Sequence, residues 1–201
     1  MKGFHPMASL SFSFSLLVQT WNTSGSSIGI VANSNCTTAG VVVAHRPLQI
    51  LFGLEAVSIV TTQAISGAGI HGLSTMHIKG NVVPHMAEEE EKIVREIRKI
   101  MTGSIQGANA SPSIQVIEST KTVVMCYRVP VTDGHTISMV VTLKTAVSKE
   151  AVEKALRDYS ISALKTIAQL PLICVMPQAD RPQPRLDSGG HDGMAICVGS
   201  V

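Results

Sequence analysis

Two alternating, Val-rich stretches, Thr122–Pro130 and Thr136–Leu143, constrain this chain most. Each switches between apolar and polar residues along its length, and the turn formers Asp133-Gly134 lie between them. That pattern predicts strands with one face on a core. Shorter β-branched or apolar runs at Ile28–Ala32, Ala56–Thr62, Ser113–Glu118, Leu170–Met176 and Met194–Val198 read as further strands. Helices are expected over Ala39–Leu51, Glu88–Met101 and Ser148–Tyr159. The second opens with four glutamates and ends in basic residues, which complements the helix dipole, and Ile93, Ile97 and Ile100 share one face. Ser148 reads as an N-cap. Strands and helices mix without strict βαβ alternation. The fold class this predicts is α+β, a mixed and mainly antiparallel sheet with helices packed on it. Residues 1–27 read as an irregular N-terminal segment, 71–87 as an irregular excursion and 177–193 as a loop, so the organised domain is expected over 28–201.

Composition excludes several function classes. With 45% hydrophobic and 15% charged residues, the 201-residue chain has a core to bury and is not intrinsically disordered. A net charge of +2 is no electrostatic footprint for nucleic acid. No apolar stretch is long enough to span a bilayer, so no membrane partner is expected. Leu10–Val18 is broken by serines and lacks a small-residue cleavage site after it, unlike a signal peptide. Four cysteines without Cys-x-x-Cys spacing suggest neither a zinc site nor a disulfide scaffold, and no metal is expected. Free thiols in a reducing, cytoplasmic compartment are the expectation. On this reading Cys126, Cys174 and Cys197 are structural, and His45 and His71 belong to surface or loop.

Asn35-Cys36-Thr37-Thr38 places a thiol where a strand meets a helix N-terminus. Free backbone N–H groups and the dipole there favour a thiolate and can receive an oxyanion. A cysteine at such a junction is either that nucleophile or a small buried hydrophobe. His135 follows the Thr132-Asp133-Gly134 turn, where an imidazole serves as an acid/base in a cleft or as a polar loop residue. Arg128, on the preceding strand, is an anion clamp or a surface residue.

Four motifs together carry a resemblance. They are Ile30-Val-Ala-Asn-Ser-Asn-Cys-Thr-Thr-Ala-Gly40, Thr62-Gln-Ala-Ile-Ser-Gly-Ala-Gly69, Glu89-x-x-Lys92 with Glu96 and Lys99, and Arg128-Val-Pro-Val-x-Asp-Gly-His-Thr136. In order and spacing, from about Gly29 to Val198, they resemble the second half of the aspartate-semialdehyde dehydrogenase family, most closely its fungal and archaeal branch. The resemblance implies a dimerisation-domain fold like the C-terminal domain of glyceraldehyde-phosphate dehydrogenase. It also implies an oxidoreductase of lysine, threonine and methionine biosynthesis. In that scheme Cys36 attacks an aspartyl phosphate, phosphate leaves, and hydride from NADP in its reduced form turns the thioester into the semialdehyde. His135 is then the acid/base. Arg128 clamps the substrate α-carboxylate, Gln63 orients the substrate, Glu89 and Lys92 face its amino and phosphate ends, and Asn35 supports the oxyanion. A run of glutamates also reads as a solvated helix face. Gly67 and Gly69 read as backbone-geometry residues. A homodimer or higher homo-oligomer is implied as well.

The sequence departs from the family's pattern at Ser34, where a proline is usual, and at Ser200, where an arginine is usual. The only Gly-x-Gly, Gly67-Ala-Gly69, belongs to the substrate-side motif, so the main cofactor-binding residues are not identified. The chain reads as the catalytic and dimerisation half without its cofactor half, truncated at its C-terminal end, and the acyl-transfer half-reaction is expected to outlast full turnover. Two alternatives stay open: a non-catalytic dimerisation module of the same fold, and a related acyl-CoA reductase such as malonyl-CoA reductase.

Overall fold

A computed structural model of the chain describes residues 8–12, 18–20, 29–31, 33–70, 72–101, 120–159 and 172–201. Eight strands are described: β1 (Ala8–Phe12), β2 (Val18–Thr20), β3 (Gly29–Val31), β4 (Leu54–Gln63), β5 (Lys121–Arg128), β6 (His135–Leu143), β7 (Ile173–Val175) and β8 (Ile196–Gly199). The helices are α1 (Cys36–Phe52), α2 (Thr75–Ile78), α3 (Glu89–Met101), α4 (Lys149–Asp158) and α5 (Pro184–Asp187), with short 3-10 turns at Ile65–Ala68 and Gly190–Gly193.

Six strands form one sheet in the order β5-β4-β6-β1-β8-β7. The β4–β5 and β7–β8 pairs are parallel; β4–β6, β1–β6 and β1–β8 are antiparallel. The sheet is therefore mixed and mainly antiparallel, as expected. Period-two burial runs down its strands, so Val57 and Ile59 of β4, Val124 and Cys126 of β5, and Ile137 and Met139 of β6 point to one face. There they meet Val41, Ala44 and Leu48 of α1, Ile93, Ile97 and Met101 of α3, and Leu156 of α4 in a single apolar cluster. On α3 the expected Ile93 and Ile97 are buried, but Met101 rather than Ile100 completes the stripe.

Several expectations need correction. Ala8–Phe12 lies in the segment expected to be irregular, yet β1 sits inside the sheet between β6 and β8. Its five residues are too few for a periodic signal among so many serines. The strand expected at Ile28–Ala32 is β3, and among the described residues it pairs with β2 in a separate two-stranded ribbon. Thr75–Ile78 forms a helical turn inside the expected excursion, and Ile78 is fully buried. His45, read as surface or loop, lies on the inner face of α1 at 1% exposure. The expected strand Ser113–Glu118 lies outside the described residues.

Candidate active site

Strand direction gathers the site. Parallel pairing sets Gln63, last residue of β4, in register with Arg128, last residue of β5. Antiparallel β6 begins at the same end, with Thr136 paired to Thr62, so His135 is the next residue outward. Gln63 and His135 are buried, and Arg128 is half-buried in the same phase as Cys126. Gly134, with φ of +84°, takes the left-handed conformation that turns the chain into β6. Opposite this end stands the N-terminus of α1. Asn35 caps it: its Oδ1 accepts from the Thr37 N–H (2.9 Å) and the Thr38 N–H (3.3 Å), which fixes Cys36 in the first turn.

Cys36 Sγ lies 3.1 Å from His135 Nε2. The far side of the imidazole is held too, because the Ala64 N–H donates to Nδ1 at 3.0 Å. Ala64 O in turn accepts from Arg128 Nη1 at 2.6 Å, so one residue anchors both side chains. Bonds from Ile65 N–H to Val131 O (2.8 Å) and Ser66 N–H to Thr132 O (3.1 Å) tie the 3-10 turn to the turn before His135. Gly67 packs on the imidazole edge: a Cβ there would lie 2.9 Å from His135 Cε1, 3.2 Å from Nε2 and 3.4 Å from Arg128 Nη1.

Helix α3 contributes carboxylates. Glu89 Oε1 accepts from Asn35 Nδ2 (2.8 Å) and Gln63 Nε2 (3.3 Å), and Glu96 Oε2 accepts from the Asn35 backbone N–H (2.7 Å). Lys92 is exposed on the same helix, and among the described residues its ammonium has no hydrogen-bond partner. Cys36, His135, Gln63, Arg128, Asn35 and Glu89 thus converge, with Lys92 at the edge. Sequence reasoning missed Ala64, whose contribution is backbone, and the packing role of Gly67. It placed Glu96 only within a motif; its spacing two turns beyond Glu89 is the signal that it shares that face.

The electrostatics depart from the expectation of a ready thiolate. Burial of the sulfur against the protein pushes the Cys36 thiol above its ordinary value, opposed by the Thr37 N–H and reinforced by the Glu89 charge. The helix-terminal amides of Thr37 and Cys36 itself pull it down, but burial outweighs them. His135 is moved down, first by burial and then by the Arg128 charge, with Glu89 acting the other way. A thiol beside a neutral imidazole, rather than an ion pair, is the resting arrangement at neutral pH. Asn35, expected at an oxyanion, spends its side chain on the cap and on Glu89.

Among the described residues no glycine-rich loop is free to cradle a dinucleotide's phosphates. In Gly67-Ala-Gly69, Gly67 is packed against His135 and Arg128, and the segment does not open a long helix. What the arrangement offers is nucleophilic chemistry on a carbonyl, with a nitrogen beside the sulfur and a guanidinium for an anion.

Comparisons with known proteins place the chain among relatives. The aspartate-semialdehyde dehydrogenase of Candida albicans is 41% identical over 180 residues, covering 86% of this chain and 49% of the relative. That of Archaeoglobus fulgidus is 38% identical over 173 residues, with 86% and 48% covered. A crystal structure of aspartate semialdehyde dehydrogenase with NADP from Candida albicans superposes with a TM-score of 0.70 at 36% identity, covering 83% of this chain and 46% of that one. The chain spans about half the length of the curated relatives it matches. Residues 46–201 match the family described as semialdehyde dehydrogenase, dimerisation domain. By that match the chain belongs to the semialdehyde dehydrogenase dimerisation-domain family.

Proposed function

We propose that this chain is the substrate-side half of an aspartate-semialdehyde dehydrogenase and carries its acyl-transfer chemistry. Cys36, as thiolate, attacks the acyl carbon of an aspartyl phosphate; the carbon–oxygen bond to phosphate breaks, phosphate leaves with the electron pair, and a thioester remains. Arg128 suits the α-carboxylate because its planar fork presents parallel N–H donors. Glu89 faces the α-amino group, Gln63 orients the substrate, and Lys92 is placed for the phosphate. Asn35 holds Glu89 and the first turn of α1 in place. NADP supplies hydride for the reduction in this reading, and because the described residues offer no cradle for it, only acyl transfer is assigned to this chain. The observation that carries the proposal is the 3.1 Å contact between Cys36 and His135 at the sheet end shared by Gln63 and Arg128.

Intact-mass analysis of the chain after incubation with aspartyl phosphate tests it. The expected result is one acyl adduct at Cys36, absent from Cys36→Ala. No adduct, or an equal adduct on Cys36→Ala, overturns the reading.

The same proposal places two copies face to face in a homodimer. No described helix is long and apolar enough to cross a membrane, and a cytoplasmic setting completes the proposal.

A further inference from the structure

We infer that Cys174 and Cys197 form a redox site: a peroxide joins the two thiols in a disulfide that staples β7 to β8, and a dithiol reductant reopens it. Read from the sequence as two separate structural cysteines, they are neighbours in the fold. Parallel pairing of β7 with β8 sets Cys174 opposite Cys197 in register. Such partners point to one face with Cα atoms about 4.8 Å apart, inside the roughly 4.4–6.8 Å that a disulfide spans. The residues on either side, Ile173 and Val175 on β7 and Ile196 and Val198 on β8, belong to the apolar core cluster. Alternation therefore turns both cysteines to the opposite face.

The chain between the two cysteines folds back over that face. Gly199, two residues beyond Cys197, has no room for a Cβ against the Arg181 carbonyl, so the loop lies directly on β8. Asp187 of α5 accepts from Arg181 Nε at 2.8 Å and from the Gln183 N–H at 2.6 Å, which ties α5 into the loop. That helix in turn reaches the active-site turn, where a Cβ on Gly134 would meet Ser188 Cβ at 3.0 Å and Pro184 Cβ at 3.3 Å. A disulfide at the base of this loop would close it into a ring. Cys197 is buried, whereas Cys174 lies half-buried on the outermost strand of the sheet. One sulfur is thus open to a small oxidant, and its partner stands directly behind it.

The electrostatics keep the pair reduced at rest. Burial, then the Cys174 and Asp187 charges, push the Cys197 thiol up to about 11, with Arg181 acting the other way; burial also raises Cys174. Oxidation begins at Cys174. Its thiolate attacks one oxygen of hydrogen peroxide, the O–O bond breaks, and hydroxide leaves to take up a proton as water. The sulfenic acid at Cys174 is then attacked by the Cys197 sulfur. The S–O bond breaks, the S–S bond forms, and the oxygen departs as a second water carrying the last thiol proton. Two thiols and one peroxide become one disulfide and two waters, the sulfurs oxidised and the peroxide oxygens reduced. A dithiol reverses the step by thiol–disulfide exchange and is itself oxidised.

The test uses hydrogen peroxide on the Cys36→Ala chain, which lacks the exposed site thiol and keeps three cysteines. Thiols titrated after denaturation are expected to fall from three to one, and dithiothreitol to restore all three. Trypsin cuts after Arg185, between the two cysteines, so the bond appears as a joined pair of peptides. The oxidised chain should melt roughly 5–10 °C above the reduced one, because the closed loop restricts the unfolded chain. Adding Cys174→Ala should abolish both the joined peptides and the thermal shift. Three thiols remaining after peroxide, a bond that runs through Cys126, or Cys174 recovered only as sulfinic or sulfonic acid overturns the inference. A joined pair whose melting temperature does not rise overturns the staple. Each of these outcomes leaves the acyl-transfer proposal at Cys36 standing.

Discussion

Ala64 shows how much of this site is made by a residue without chemistry of its own. Its N–H orders the imidazole, its carbonyl orders the guanidinium, and neither fact is visible in an alanine's side chain. Gly67 completes the clamp from the other edge, where an added methyl would meet His135 Cε1 at 2.9 Å. The ring cannot simply swing away, because Nδ1 is held. Gly67→Ala is therefore expected to shift Nε2 away from Cys36 and lower Cys36 acylation on the order of 10²-fold, the cost of a roughly 1 Å misplacement. Its melting temperature should stay near that of the parent, since Gly67 is exposed on its outer side. A variant that acylates at the parental rate would show the ring to be freer than its contacts imply.

At the scale of the element, α1 does two unlike things. Its first turn presents Cys36 and its inner face carries His45 into the core, where burial lowers that imidazole from 6.5 to about 4. His45 Nε2 is buried and has no hydrogen-bond partner among the described residues. The unfolded chain takes up a proton near pH 6.5 and the folded chain only near 4, so between those values the unfolded state binds more protons. Stability is full above pH 6.5 and falls as pH drops, by about 3 kcal/mol once below pH 4. His45→Leu should remove that part of the acid sensitivity. Urea unfolding of both proteins at pH 7 and pH 4 checks it, and an equal loss in the two would mean His45 is not the group responsible. The sequence carried α1 well: the expected Ala39–Leu51 lies within Cys36–Phe52, and Asn35-Cys36-Thr37-Thr38 was read as its N-terminal junction. Helix α3 was legible for the same reason, because charge order and isoleucine spacing are local signals. β1 was not, since a five-residue strand is fixed by its partners β6 and β8 rather than by its own pattern. His45 was missed because burial of a polar residue is decided by what packs on the helix. Within the site, motif order brought Cys36 and His135 together before any coordinates. The raised thiol was illegible, because it depends on how the folded chain packs around the sulfur and on Glu89 arriving from a distant helix.

Over the whole molecule the sheet has one face inside and one outside, and the outside one is not uniformly polar. Across β5-β4-β6, Val123 is opposite Ser58 and Ser58 opposite Val140; one row on, Met125 is opposite Val60 and Val60 opposite Ser138. Val123, Met125 and Val140 are exposed by 54%, 50% and 41%. None of the described helices covers these residues. Adjacent apolar residues on a regular sheet face make a flat surface that a second copy can match through a two-fold axis, and a stable interface needs roughly 1,200 Å² or more. The chain is expected to sediment as a dimer at micromolar concentration. Met125→Lys with Val140→Lys places cations in the middle of that face, where pairing would desolvate them against each other's copies. That variant is expected to shift to a monomer near 21.3 kDa while keeping the parental circular dichroism, because both side chains point away from the core. A double variant that folds and still sediments as the parent dimer would move the interface to another face. A parent that is monomeric throughout would remove the homodimer from the proposal and leave the acyl-transfer chemistry at the sheet end untouched.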